Sequence, residues 1–98
     1  MIIRIVRMTF KEEAVAQFLK IFDSSKEKIR SFPGCQHLQL LADAHATNVF
    51  STYSIWEREE DLNEYRNSAL FGQVWPETKQ LFEAPPVAHS YIQKIKLD

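Results

Sequence analysis

The sequence is poor in cysteine and glycine. It has a single cysteine, Cys35, and two glycines, Gly34 and Gly72, among its 98 residues. One cysteine excludes an internal disulfide and favours a reducing compartment. Two isolated glycines exclude a glycine-rich phosphate loop, so we do not expect nucleotides or flavins to bind through the common loop motifs.

Long apolar runs and an excess of one charge are also missing. No stretch is long enough to cross a bilayer, and Met1–Arg7 lacks the apolar core of a signal peptide. The formal net charge is −1, which argues against a nucleic-acid or anionic-membrane surface. The three histidines are too widely spaced to form a metal signature. We therefore expect a cytoplasmic protein with one domain, residues 1–98, and no metal site.

Side-chain periodicity predicts four strands and two helical regions. Apolar residues alternate along the strands, and in the first helical region they recur at helical spacing up to Pro33-Gly34. The predicted elements are a strand Ile2–Phe10, a helix Lys11–Phe32, strands Cys35–Asp43 and Asn48–Glu57, a helical region after Trp56 and a strand Val87–Lys96. The order β-α-β-β-α-β is the ferredoxin-like plan, an α+β fold with helices on one face of an antiparallel sheet.

The second helical region carries more local signals. Leu62 and Tyr65 are expected to point inward in its first piece, and Ser68 is expected to cap its second piece. We expect Pro76 to interrupt the second piece with a kink, because proline lacks the N–H that a helical hydrogen bond needs. Ala84-Pro85-Pro86 is expected to end the helix.

Both faces of the predicted sheet are apolar. In Asn48–Glu57 one face carries Phe50, Thr52, Ser54 and Trp56, and the other carries Val49, Ser51, Tyr53 and Ile55. In Cys35–Asp43 one face carries Leu38 and Leu40, and the other carries Cys35, His37 and Leu41. The helices cover only one face, so the second needs a partner. We expect a homodimer that packs through this sheet face.

Three segments resemble the antibiotic biosynthesis monooxygenase family: Pro33-Gly34-Cys35, Phe50–Glu57 and Tyr65–Phe71. In element order the resemblance runs from Met1 to Tyr91. It implies a dimeric α+β barrel with a ligand cavity between sheet and helices in each subunit. Members of the family include cofactor-free oxygenases of aromatic polyketides, haem-degrading enzymes, a small isomerase and proteins without an established activity.

Three positions separate this chain from the haem-degrading members. Those members carry an asparagine on the first strand, a tryptophan early in the second helical region and a histidine ligand further along, where this chain has Val6, Tyr65 and Trp75. Without an imidazole for the iron, haem degradation is disfavoured. Many other members carry a histidine at the position of Tyr65, so their general base is also missing here.

The resemblance thus implies a cofactor-independent monooxygenase of a small aromatic substrate, such as a phenol, quinol or anthrone. One alternative is a non-catalytic dimer that binds a small metabolite. A second is a small-molecule isomerase, which would require an acid–base pair in one cavity.

The candidate catalytic residues are His37, Tyr65 and Trp75. His37 is the candidate base because histidine titrates near neutral pH, although both His37 and His89 can instead rest at a dimer interface. Arg4 lies mid-strand among apolar neighbours and is a candidate to anchor an anionic substrate or to stabilise an enolate. The candidate substrate-binding residues are Arg4, Phe22, Phe50 and Phe71. The aromatic residues also have a simpler interpretation as ordinary core.

Overall fold

The computed structural model describes all 98 residues and contains four strands and three α-helices. In chain order they are β1 (Ile2–Phe10), α1 (Val15–Arg30), β2 (Cys35–Ala42), β3 (Val49–Trp56), α2 (Glu59–Arg66), α3 (Ala69–Lys79) and β4 (Phe82–Ile92), with a 3-10 turn at Glu12–Ala14. The strands form one antiparallel sheet in the order β2-β3-β1-β4. The predicted ferredoxin-like α+β fold is confirmed. None of the helices is long and apolar enough to span a membrane.

The turn between α1 and β2 depends on Gly34. Its φ is 88°, which a residue with a Cβ rarely adopts. A Cβ at Gly34 would also overlap the side chain of Asp61, a buried residue of α2 that pairs with Arg58 across 3.3 Å. The absence of a side chain at Gly34 therefore sets both the turn and the close approach of α2 to it.

Helix α3 begins where the sequence predicts and ends earlier. The Ser68 hydroxyl accepts a hydrogen bond from the backbone N–H of Phe71 at 3.2 Å, which confirms the predicted cap. Pro76 does not end the helix, because α3 continues through Pro76 to Lys79, and the kink expected there stays a prediction. The helix therefore ends well before the prolines that were expected to end it.

Strand β4 begins five residues earlier than predicted and ends at Ile92 rather than at Lys96. It includes Pro85 and Pro86, which the sequence pattern assigns to the helix end. Prolines are tolerated there because β4 is an edge strand, and its pairing with β1 shifts register between Arg7 and Thr9. An irregular edge pairing does not require the backbone N–H groups that proline lacks.

The first residue of β2 lies on the face opposite to the predicted one. The pairing with β3 shifts between Cys35 and His37, so one extra residue enters the strand there. Cys35 consequently packs with Trp56 and Leu62 on the helix side of the sheet, whereas His37 stays on the other side. Burial raises the pKa of the Cys35 thiol, in line with its interpretation as a small buried hydrophobe.

The sheet has a helix face and an outer face, and the core forms two clusters on the helix face. One cluster is centred on Phe10 and Phe18, whose rings stack 4.1 Å apart. The other is centred on Trp56, which is 1% exposed, together with Cys35 and Leu62. Between the clusters, the helices stand over the middle of the sheet, and the space left there is the candidate site.

Candidate functional site

A cavity of about 310 Å³ lies between the sheet and the helices. Its lining is mostly apolar and includes members of both core clusters, so both clusters contribute to its walls. The lining residues are Arg4, Val6, Met8, Phe18, Phe22, Ile29, Leu38, Thr52, Ser54, Trp56, Leu62, Tyr65, Arg66, Phe71, Val74, Trp75, Thr78, Pro86 and Ala88. A cavity of this size and character is typical of small-molecule sites, at the lower end of their range of about 300–1,000 Å³.

The cavity exists because short side chains occupy the middle of the sheet. Thr52 and Ala88 flank Val6 in the register of β3, β1 and β4. One row further along, Ser54 and Ser90 flank Arg4. Larger side chains at the two ends of the sheet fill the core clusters. The short side chains in the middle of the sheet thus leave open space above the floor of the cavity.

Aromatic rings form a continuous wall on the helix side of the cavity. Tyr65 stacks on Trp56 with ring centroids 5.1 Å apart, and Phe71 meets Tyr65 edge-on at 5.3 Å. Trp75 then stacks on Phe71 at 5.6 Å. Flat apolar surfaces of this kind suit an aromatic ligand, because ring pairs prefer stacked or edge-on contacts at these distances.

Two polar tips in this wall have no protein partner. No protein group accepts a hydrogen bond from the Tyr65 hydroxyl or the Trp75 indole N–H, and neither atom is sealed inside the protein. Burial, with a smaller effect of Cys35, raises the pKa of Tyr65 to about 12. Tyr65 is therefore a neutral phenol at ordinary pH, and both groups are free to donate a hydrogen bond to a ligand.

Arg4 brings a positive charge to the floor of the cavity. Its guanidinium donates a hydrogen bond to the Ser90 hydroxyl across 3.0 Å. Burial, and then the nearby Arg66, lower the pKa of Arg4, although an arginine remains charged throughout the ordinary pH range. On the other side of β1, the Ser54 hydroxyl accepts a hydrogen bond from the Trp56 indole at 3.0 Å. The polar groups at the floor are thus oriented by their neighbours in the sheet.

The structure brings five of the seven predicted site residues to the cavity. They are Arg4, Phe22, Tyr65, Phe71 and Trp75. Whether these residues act on a ligand stays a prediction, but their side chains share one lining.

Phe50 and His37 do not reach this lining. The Phe50 ring packs in the core, 5.6 Å from that of Phe18. His37 lies on the outer face, where its ring meets that of Tyr53 edge-on at 5.4 Å. Within one chain, His37 therefore cannot take a proton from a substrate in the cavity.

Several lining residues are missing from the sequence-based set, above all Arg66. It follows Tyr65 directly, within a segment that the family resemblance already covers. An exposed arginine at a helix end looks like an ordinary surface residue until the helix is placed over the sheet. The small residues Thr52, Ser54 and Ala88 are the other signal, because short side chains at mid-strand leave space above the sheet.

The positions compared with haem-degrading proteins also face the cavity. Val6, Tyr65 and Trp75 are all in its lining. The lining contains no histidine, cysteine or carboxylate, and nowhere in the chain do three or more metal-ligating side chains come together. The chemistry available to the lining is therefore aromatic stacking, hydrogen-bond donation and positive charge.

Comparison with solved structures shows one recurring fold. A conserved protein from Methanosarcina mazei Go1 has a TM-score of 0.89 at 20% identity, covering 95% of this chain and 93% of that one. Rv0793 from Mycobacterium tuberculosis has a TM-score of 0.90 at 15% identity, covering 99% and 98%. A protein solved as an antibiotic biosynthesis monooxygenase has a TM-score of 0.91 at 19% identity, covering 97% and 100%. At these identities the likeness shows a shared fold.

The sequence itself places the chain in a family. Residues 1–75 match the family model for antibiotic biosynthesis monooxygenase, so the chain belongs to that family. The match covers β1 to the middle of α3, which includes most of the cavity lining. No sequence among curated proteins matches the chain. The resemblance noted in three short segments is thus confirmed at the level of family.

Proposed function

We propose that the protein is a cofactor-independent monooxygenase of a small phenol-, quinol- or anthrone-like substrate, bound in the cavity. The observation that carries this proposal is that the aromatic wall of Tyr65, Phe71 and Trp75 and the Arg4 side chain line one mostly apolar cavity. The wall suits a flat ring, and the guanidinium suits an oxygen atom that becomes negative. Membership of the family supports the same reaction class.

In this proposal, positive charge inside the cavity, rather than a general base, promotes ionisation of the substrate. The titratable groups in the lining are Arg4, Tyr65 and Arg66, and none of them accepts a proton at neutral pH. A nearby positive charge lowers the pKa of a phenol or an enolisable ketone, and in an apolar cavity the effect is stronger than in water. The proton leaves to water, and Tyr65 donates a hydrogen bond to the resulting oxyanion.

The reaction balances without a further reductant. The substrate anion gives one electron to O₂, and the substrate radical and superoxide combine to form a carbon–oxygen bond. The resulting peroxide anion takes a proton from water to give a hydroperoxide. Loss of water from the hydroperoxide removes the hydrogen of the same carbon, breaks the oxygen–oxygen bond and leaves a new carbonyl group. For an anthrone, the CH₂ group becomes C=O, and one O₂ is converted into the carbonyl oxygen and one water.

Oxygen uptake with an anthrone substrate tests this function. We expect uptake above the spontaneous rate, with quinone formed in equal amount. Arg4→Gln should lower kcat/KM at least tenfold, because removal of a transition-state charge partner typically costs that much or more. Lys20→Gln is the matched control, since it removes a positive charge from an exposed position on α1, outside both the cavity lining and the outer face of the sheet. Uptake no faster than the background, or equal loss in both variants, would overturn the proposal.

The second candidate function is binding of a small aromatic metabolite without turnover. The observation that favours it is the lining without a general base. A ligand that binds only the folded state raises Tm, whatever happens afterwards. An anthrone or quinol that raises Tm without consuming oxygen would identify a binding protein. The isomerase alternative is disfavoured, because the lining contains no acid–base pair.

We also propose that the protein is a homodimer, packed through the outer face of the sheet. The resemblance to the family, whose model matches residues 1–75, implies a dimeric α+β barrel and so supports this assembly. The outer face carries Ile3, Ile5, Tyr53 and Ile55, and no helix of the chain covers it. A cytoplasmic location and a single domain over residues 1–98 remain predictions from the sequence.

A further inference from the structure

We propose that the ligand of this cavity carries an oxyanion, a carboxylate or a phosphate, that is held between Arg4 and Arg66. The cavity would then select aromatic acids over neutral aromatic molecules of the same shape. This inference shares with the proposed function only the cavity and its aromatic ligand. It does not require that the ligand be oxidised.

The first observation is that two guanidinium groups face one apolar cavity and neither has an acidic partner. Arg4 and Arg66 both belong to the lining, and the lining contains no carboxylate. The ion pairs of the chain are Lys26–Asp23 and Arg58–Asp61, both away from the cavity. The only side-chain partner of Arg4 is the neutral hydroxyl of Ser90.

The second observation is that the two charges affect each other. Arg66 contributes to the lowered pKa of Arg4, after the larger effect of burial. The two like charges repel, although water around the exposed Arg66 screens part of this repulsion. An anion between them replaces this repulsion with two attractions. A neutral ligand would leave the repulsion in place.

The third observation is the difference in exposure between the two arginines. Arg4 is half-buried on the central strand β1, whereas Arg66 is exposed at the end of α2. A ligand whose ring stacks on Phe71 or Trp75 would share one cavity lining with both arginines. Guanidinium groups bind carboxylates and phosphates through paired hydrogen bonds, so both arginines suit the same oxyanion.

Calorimetric titration with three probes of one shape tests the inference. The probes are 2-naphthoate, 2-naphthyl phosphate and the neutral 2-naphthamide. We expect at least one of the anions to bind at least tenfold more tightly than the amide. Which anion binds more tightly distinguishes a carboxylate from a phosphate ligand. The preference should shrink as salt rises from about 0.05 M to about 0.5 M, because salt screens exposed charges such as Arg66.

Variants assign the preference to the two arginines. Arg66→Gln and Arg4→Gln should each reduce the ratio of anion affinity to amide affinity at least threefold. Arg66→Lys should keep part of this ratio. Lys20→Gln, which removes an exposed positive charge on α1 outside the cavity, should keep the whole ratio. Because Arg66 is exposed, its variants are expected to fold, which a thermal melt checks. Equal affinity for all three probes, binding of none of them, or a preference that survives both glutamine variants would overturn the inference.

Binding is measured without oxygen, so the two proposals can fail separately. An anion preference with no oxygen uptake would contradict the oxygenase and keep the oxyanion site. Oxygen uptake with an anthrone, combined with no anion preference, would contradict the oxyanion site and keep the oxygenase.

Discussion

Tyr65 is the residue whose titration the fold changes most clearly. In an unfolded chain a tyrosine titrates near pH 10, whereas burial raises the pKa of Tyr65 to about 12 in the folded protein. The folded state therefore holds its proton over a pH range in which the unfolded state loses it. Tyr65 contributes this stability fully below pH 10, and the contribution is lost as the pH rises towards 12.

We predict that the wild type loses about 1 kcal/mol more stability than Tyr65→Phe between pH 9 and pH 11. Urea unfolding at both pH values, followed by far-UV circular dichroism, measures the difference. The phenylalanine variant also corrects for the general effect of alkali on the other groups. A parallel loss in both proteins would show that Tyr65 is not buried in the way the structure has it.

Arg4 shows how a single charged residue is accommodated in the middle of a strand. Its cross-strand neighbours, Ser54 and Ser90, are short and polar, and Ser90 accepts its hydrogen bond. A long apolar neighbour on either strand would push the guanidinium away from the cavity. The sequence alone indicates that Arg4 needs a partner, and the strand register decides that the partner is a hydroxyl rather than a carboxylate. This leaves its charge available to a ligand.

Among the local elements, the turn between α1 and β2 is the one that depends most on a single residue. Gly34 has a positive φ, and a Cβ there would meet Asp61. We predict that Gly34→Ala destabilises the protein by about 2–4 kcal/mol, from backbone strain together with steric overlap. Chemical denaturation measures the free energy of unfolding.

Gly72 provides the control for this change. It lies within α3, and a Cβ at Gly72 would meet nothing within 4 Å. Gly72→Ala is therefore expected to stabilise the protein by about 0.5–1 kcal/mol, because alanine favours the helix and restricts the unfolded chain. Equal effects of the two substitutions would contradict the role assigned to Gly34.

The order of the elements follows from the sequence, because periodicity and capping are local properties. The pattern of β1 and the cap at Ser68 were both predictable in this way. The bulge after Cys35 and the prolines in β4 were not, since each depends on which strand lies alongside and how it is paired. An edge strand tolerates prolines, and the sequence does not state which strand is at the edge.

The candidate site shows the same difference between features set by local sequence and features set by how the strands assemble. Tyr65 and Trp75 were predictable as lining residues, because bulky amphipathic rings suit a ligand wall. His37 was predicted as a base from its chemistry alone. A strand places alternate residues on opposite faces, so a change in which face meets the helices moves a histidine from the cavity to the outer surface. Only the assembled sheet decides this.

At the scale of the whole molecule, the proposed homodimer depends on the outer face of the sheet. Three rows of side chains cross all four strands: Leu41, Ser51, Arg7 and Val87; Gln39, Tyr53, Ile5 and His89; and His37, Ile55, Ile3 and Tyr91. The centre of these rows is apolar, and the margin keeps Val87, Tyr91 and Leu41 between 42% and 50% exposed. A contiguous apolar face whose large side chains stay partly exposed is typical of a protein–protein interface.

We predict that the wild type sediments as a dimer, at twice the subunit mass of 11.5 kDa. Ile5→Glu, at the centre of the outer face, should give a monomer, because a dimer would bury an unpaired carboxylate. Leu19→Glu is the control, since Leu19 is 41% exposed on α1, away from the sheet. Tyr91→Asp, nearer the margin, should weaken the dimer without burying a charge at its centre, and it replaces Ile5→Glu if that variant does not fold. A wild type that sediments as a monomer at micromolar concentration, or variants of the outer face that remain dimeric, would contradict the assembly.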